Sequence, residues 1–306
     1  MPRRGWDLAS WTLFAFMVVA WAGNYLFVRE GELFVAPLWL ATLRAASGAG
    51  GVAVFLMLRP ARASFSRADR RDAILLGIPN TAVFLALWFV AAPSIPPGQT
   101  AVIIYTFPLW VALFSPWVLG SRLGTQHWAA VGLGFAGVVL VSQPWVLGAG
   151  HVSVTRVAEL LGAAVSWAAA TVVFQRRFTP EALSQANLYQ LAGGAIALTA
   201  LAFVFAGPPQ PRLSPDLWVS VLWLGLFGTA FAYGVWFFLL RSVHASVLSA
   251  DAFLVPLVAV ALSVLFDGGR LSSVQIVGAA LVLIAIYIVG KSPLAHPVHG
   301  PAIHPP

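Results

Sequence analysis

Two ionisable side chains, Arg44 and Asp251, stand inside long apolar runs of this 306-residue sequence. A charge at the centre of a bilayer costs about 2.5–3.5 kcal/mol on insertion scales, so such residues are read first as functional. Arg44 falls about 10 Å along its run at the helical rise per residue. Its guanidinium could grip a carboxylate through two parallel N–H···O bonds. The structural alternative is a side chain that snorkels to the interface or bonds a neighbouring helix's carbonyls. Asp251 lies five residues before Pro256 and could receive an ammonium group or a coupling proton. Its plainer use is as a carboxylate near a helix start, favoured by the helix dipole. Bond-making chemistry is not indicated. The sequence holds no His-Glu-x-x-His helix, no Walker loop and no nucleophile elbow, and His127, His151 and His244 fall at run ends or in loops. No cofactor or metal is implied, and any pumping must draw on a gradient rather than on ATP bound by this chain.

Around these charges the sequence predicts a mostly apolar pocket with a few polar groups. Trp21, Trp88, Trp167, Tyr189, Tyr233 and Trp236 lie deep in their runs, where each indole or phenol wants a hydrogen-bond partner. Asn24, Asn80, Tyr105, Thr106, Ser166, Thr171 and Gln190 add polarity at depth. Any one of them alone reads as helix packing; together they outline a cavity for a small amphipathic zwitterion. Trp6, Trp11, Trp39, Trp117, Trp128, Trp145 and Trp218 lie near run ends and read as an interfacial belt. Pro79, Pro108 and Pro256 fall within runs, where each is expected to remove a backbone bond and kink a helix, a device for gating.

Only helices can hold such residues in lipid, which offers no partner for free backbone groups. The chain is 60% hydrophobic and 9% charged, with a mean hydropathy of +0.88, whereas soluble domains carry roughly 25% charged residues. Spanning runs are read at Leu8–Val28, Val35–Leu58, Asp72–Ala92, Gln99–Leu119 and His127–Ser142. A second set covers Val157–Phe174, Ala182–Phe205, Asp216–Leu240, Ser246–Phe266 and Val274–Gly290. The fold class expected is therefore all-α integral membrane with ten transmembrane helices. Arg3, Arg4 and Ala20-Trp21-Ala22 resemble a signal peptide, but the run continues to Val28 and is read as a retained span. Ser47, Gly48, Gly50, Gly51, Gly132, Gly134, Gly137, Gly193 and Gly194 are read as close-packing surfaces, serving the bundle before any dimer. A monomer is expected. There is no cysteine, hence no disulfide. Residues 291–306, rich in proline and histidine, are read as a disordered cytoplasmic tail.

The net charge of +7 is unevenly placed. One side holds Arg3, Arg4, Arg59, Arg62, Arg67, Arg70, Arg71, Arg122, Arg176, Arg177, Arg241 and Lys291; the other holds only Arg29, Arg156, Arg212 and Arg270. The positive-inside rule makes the first side cytoplasmic and puts both termini there. This accounts for the charge without nucleic acid. The two halves also align. An offset of 148 lays Pro256, Leu257, Gly268, Arg270 and Leu271 on Pro108, Leu109, Gly120, Arg122 and Leu123. An offset of 146 lays Trp167-Ala168 on Trp21-Ala22, Gly194-Ala195 on Gly48-Ala49, and Gln190 on Arg44. Five spans per half is an odd number, so 1–148 and 149–290 would form inverted repeats, an architecture of secondary transporters.

The run Trp21-Ala22-Gly23-Asn24, the run Leu43-Arg44-Ala45, and Pro108 and Pro256 with Gly-x-Arg-Leu after each resemble the EamA-type drug/metabolite transporter superfamily. The resemblance extends from Leu8 to Gly290. It implies an exporter of amino acids and other metabolites, or a carrier of nucleotide sugars, and the overall character is similar to the aromatic amino acid exporter branch. Where many relatives have a glutamate before the arginine, this chain has Ser121 and Gly269, so that carboxylate's role is not carried over. The expectation is a multi-pass protein of the bacterial inner membrane that exports neutral or aromatic amino acids by alternating access. Carriage of other metabolites or drug-like amines, a membrane enzyme, and lipid handling are the alternatives.

Overall fold

A computed structural model describes residues 8–58, 64–120, 124–142, 153–179, 181–242, 251–267 and 270–291. The expected start of the ninth span at Ser246, and Trp6, Trp145, Arg122, His151, His244, Gly269 and the tail from 292 onward, lie outside these. Among the described residues every regular element is a helix. The first half holds α1 (Leu8–Gly31), α2 (Pro37–Leu58), and α3 (Arg67–Gly77), which runs through a π segment (Ile78–Val83) into α4 (Phe84–Ala91). Then come α5 (Pro97–Ile104), α6 (Phe107–Leu119) and α7 (Thr125–Ser142). The second half holds α8 (Val154–Arg177), α9 (Leu183–Ala206), and α10 (Pro215–Leu222), which runs through a second π segment (Trp223–Phe231) into α11 (Ala232–Ser242). It ends with α12 (Asp251–Asp267) and α13 (Ser273–Lys291).

Seven of these rods are long and apolar enough to cross a membrane. The apolar stretches of α7, α12 and α13 (Trp128–Val141, Leu254–Phe266 and Ser273–Ile288) are shorter. Their whole helices of 18, 17 and 19 residues rise a little less than the ~30 Å hydrocarbon core. The outer surface is apolar: Phe16, Phe55, Ile196, Phe205, Phe227 and Phe266 are all exposed. A helix apolar on its outward face as well as its inward one belongs in lipid. Buried apolar side chains, among them Met17, Leu40, Phe89, Ile103, Leu160 and Leu198, form one core running through both halves.

The internal similarity is visible in the elements. Helices α1 and α8 are each 24 residues long, and both their starts and their ends lie 146 residues apart. The starts of α2 and α9 share that offset, and α7 and α13 start 148 apart. Shifted by 146, the first π segment falls wholly inside the second. The contacts between halves repeat too. On α2, Gly48 lies against Thr229 and Gly225; on α9, its counterpart Gly194 lies against Thr81 and Gly77. These glycines are needed because any Cβ would enter the facing helix. Gly194→Val is therefore expected to lower the thermal unfolding midpoint, at an overpacking cost of about 1–3 kcal/mol. Gly132→Val, whose Cβ meets open space, is the control that should stay close to the parent. Equal midpoints for the two variants would show that the α9 contact does not limit packing. The expected close-packing role also fits Gly134 against Leu109, Gly137 against Gly278, and Gly193 against Ile74, but not Gly50 or Gly132.

Of the prolines expected to kink spans, Pro108 departs from the reading. Pro256 does sit inside a helix. Pro108 does not: the chain breaks at Tyr105–Thr106, and Pro108 falls in the first turn of α6. A proline there forfeits no helical bond, since the first amides of a helix have no partner within it. Pro79 opens the first π segment, and its carbonyl accepts a 2.6 Å bond from Ser166 Oγ on α8. Pro116, within α6, is an interior proline the sequence reading passed over. At the rod ends Arg177 bridges to Asp69 and Asp72, tying α8 to α3.

Candidate functional site

Arg44 is buried, at 7% exposure. Its helix explains why: α2 packs on the second π segment and on α9. The guanidinium lies over the Trp88 ring at 4.8 Å and near Phe89 at 5.9 Å. Stacking of this kind stabilises a desolvated cation by about 2 kcal/mol. Its Nε donates a long bond of 3.4 Å to Thr229 Oγ1. That hydroxyl spends its own proton on Leu224 O at 2.8 Å, five residues back in the π segment. It is thus an acceptor toward Arg44. Nη1 is buried without a partner, as is Trp88 Nε1 close by. Tyr25, Tyr105 and Tyr233 lie within electrostatic reach of the cation.

Asp251 reaches the same neighbourhood from α12. It is 5% exposed, its carboxylate accepts from its own and Ala252's backbone N–H, and it interacts with Tyr105. Tyr105 thus has the cation and the carboxylate on its surroundings at once. Tyr105 and Thr106 sit at the interruption between helices α5 and α6.

The aromatic set divides. Trp21 packs on Tyr233 and Trp236 at 5.9 and 5.8 Å. Trp88 packs on Tyr25 at 4.9 Å and on Phe84 at 5.5 Å. Trp167 stacks on Phe84 and contacts Phe107, so it walls the same region. Tyr189 stands apart: it stacks at 5.4 Å on Phe65, beside Arg70, in a separate small cluster with Phe174 and Phe178. Thr106 bonds its own Ile103 carbonyl at 2.7 Å. Thr171 is half-buried. Asn24 donates weakly to Gly228 O at 3.5 Å, with its Oδ1 buried and unpartnered. Asn80 and Gln190 bond each other at 2.6 Å. Trp39, expected in the interfacial belt, is instead buried and donates to Gly207 O, whereas Trp11, Trp117, Trp128 and Trp218 are exposed as a belt requires.

Tyr25, Thr229 and Asn187 were missed by the sequence reading. Tyr25 follows Trp21 by one helical turn, so the i, i+4 rule would have put it on the same face. Thr229 carries no such signal, because the π segment rotates the helix at that point. Glu32 was missed as well. Just past α1 and outside the spans, both its carboxylate oxygens are buried and unpartnered, and burial pushes its carboxyl from the ordinary 4.5 up to about 9. A folded value above the unfolded one means that stability is full below about pH 4.5 and falls as pH rises through about 9. Glu32→Gln should thus raise the unfolding midpoint at pH 8 and leave it unmoved at pH 4. An identical effect at both would show that the carboxyl is not titrating.

A helical bundle with a lipid-type exterior and a buried guanidinium ringed by aromatics defines the class as a multi-pass membrane protein. The model of the EamA-like transporter family matches residues 9–143 and again 157–291. The chain belongs to that family. It is 28% identical to "Uncharacterized inner membrane transporter YedA" of Escherichia coli strain K12, over 95% of this chain and 94% of that one. It is 22% identical to "Uncharacterized transporter YoaV" of Bacillus subtilis, over 89% and 93%. A solved crystal structure of a protein aligns with a TM-score of 0.62 at 20% identity, covering 92% of this chain and 96% of that one, which is a likeness of fold.

Proposed function

We propose that the chain is a secondary transporter of the bacterial inner membrane that exports neutral amino acids, aromatic ones included. Ten spans in two inverted repeats, residues 1–148 and 149–290, would rock about the Arg44 site, with both termini cytoplasmic. The observation that carries this reading is the unspent Nη1 of a guanidinium buried among aromatic rings. A cation kept at that depth is costly unless an anion visits it. A substrate carboxylate supplies one, the surrounding Trp88, Tyr25, Trp21 and Trp236 faces suit an apolar or aromatic side chain, and Asp251 suits the ammonium or a coupling proton. The matched π segments and the Gly48/Gly194 contacts support the two-repeat arrangement.

The test is flux in proteoliposomes loaded with a panel of neutral, basic and acidic amino acids, with and without an imposed proton gradient. Saturable movement of phenylalanine and its neutral relatives is the expected result. Absence of saturable flux for any amino acid would overturn the substrate assignment.

A further inference from the structure

The Arg44 site has a counterpart. Gln190 occupies on α9 the place that Arg44 occupies on α2, each seven residues beyond its helix's first residue. Arg44 bonds the second π segment at Thr229; Gln190 bonds the first at Asn80. The polarity of the two sites is opposite. At Arg44 the free atoms are donors, Nη1 with Trp88 Nε1 nearby. At the other, Asn80 Nδ2 donates to Gln190 Oε1 at 2.6 Å, and Gln190 Nε2 donates to Asn187 Oδ1 at 2.9 Å. The relay leaves an acceptor free at its Asn80 end: Oδ1 is buried and without a partner. The three amides are 9%, 5% and 1% exposed. An amide that donates has a more negative carbonyl, which strengthens that end as an acceptor.

We propose that Asn80, backed by Gln190 and Asn187, is a second and uncharged binding station, which takes the ammonium end of the substrate. This rests on the zwitterionic substrate proposed above. An amide oxygen holds an ammonium through hydrogen bonding alone and releases it more readily than a carboxylate would, as a station on a path requires. The inverted arrangement puts Arg44 and Asn80–Gln190 in opposite halves of the bilayer. One station then reads the acid function and the other the amine.

The test compares phenylalanine with 3-phenylpropionate, which keeps the carboxylate and lacks the ammonium. In proteoliposomes, Asn80→Leu should weaken phenylalanine's half-saturation about tenfold, the size of one hydrogen bond to a charged group, with inhibition by 3-phenylpropionate unchanged. Asn80→Asp, which preserves size and adds charge, should shift the ratio the other way by weakening 3-phenylpropionate and sparing phenylalanine. An unchanged ratio in either variant, including parallel loss of both ligands, overturns the station. If the parent itself moves no phenylalanine saturably, the amino acid reading fails and takes this inference with it.

Discussion

Alanine at position 44 is expected to cut carboxylate-dependent flux by one to two orders of magnitude while the protein still inserts and folds. Hydrogen bonds to a charged partner contribute about 1.5–3 kcal/mol, and a two-pronged grip on a carboxylate sits at the top of that range. The folded state loses less. Arg44's hydrogen bond to Thr229, at 3.4 Å, is long, and Thr229 keeps its bond to Leu224. Removing a buried cation also relieves a desolvation cost. Arg44→Lys should not restore flux, because a lysine lacks the planar fork and the ring stacking that Trp88 provides. The measurement is half-saturation and maximal flux, normalised to protein recovered in the membrane. If folded yield falls in step with flux, Arg44 is a structural residue and the carboxylate role is lost.

The second large effect concerns Asp251. Asp251→Asn should convert a pH-dependent export rate into one nearly flat between pH 5 and pH 9, at little cost in folding. The asparagine keeps the size and the capacity to accept from the backbone N–H groups that the carboxylate uses, but it cannot take up or give back a proton. Asp251 and Arg44 share Tyr105 as an electrostatic neighbour, and under the proposed function a proton taken up at the carboxylate would be felt at that ring. An unchanged pH profile in the variant would remove Asp251 as the coupling group and leave it as a helix-start residue.

How far the sequence could be read depends on which signals are local. Arg44 and Asp251 were legible because a charge in an apolar run is improbable without a reason, whatever surrounds it. The apolar runs were legible from their length, and among the described residues the helix ends agree with them to within five residues. What was hidden depends on rotation about helix axes. Tyr189 reads as deep by its place along α9, yet it faces Phe65 and Arg70 at a rod end. Pro108 reads as mid-span until the break at Tyr105–Thr106 puts it in a first turn. Thr229 owes its facing to a π segment, whose wider turn displaces every following side chain. Trp39 reads as an interfacial ring from its position alone, and it is buried against Phe203 with its indole N–H on Gly207 O. Glu32 follows Arg29 and Glu30 at the end of α1, and nothing in those neighbours betrays its enclosure.

The twin wide turns carry a further consequence. The two turns sit at matching places but differ in length, six residues in one half and nine in the other. If the halves exchange shapes as proposed, these are the points where the backbone has slack to give, and a guest leaving or a proton arriving would act there first.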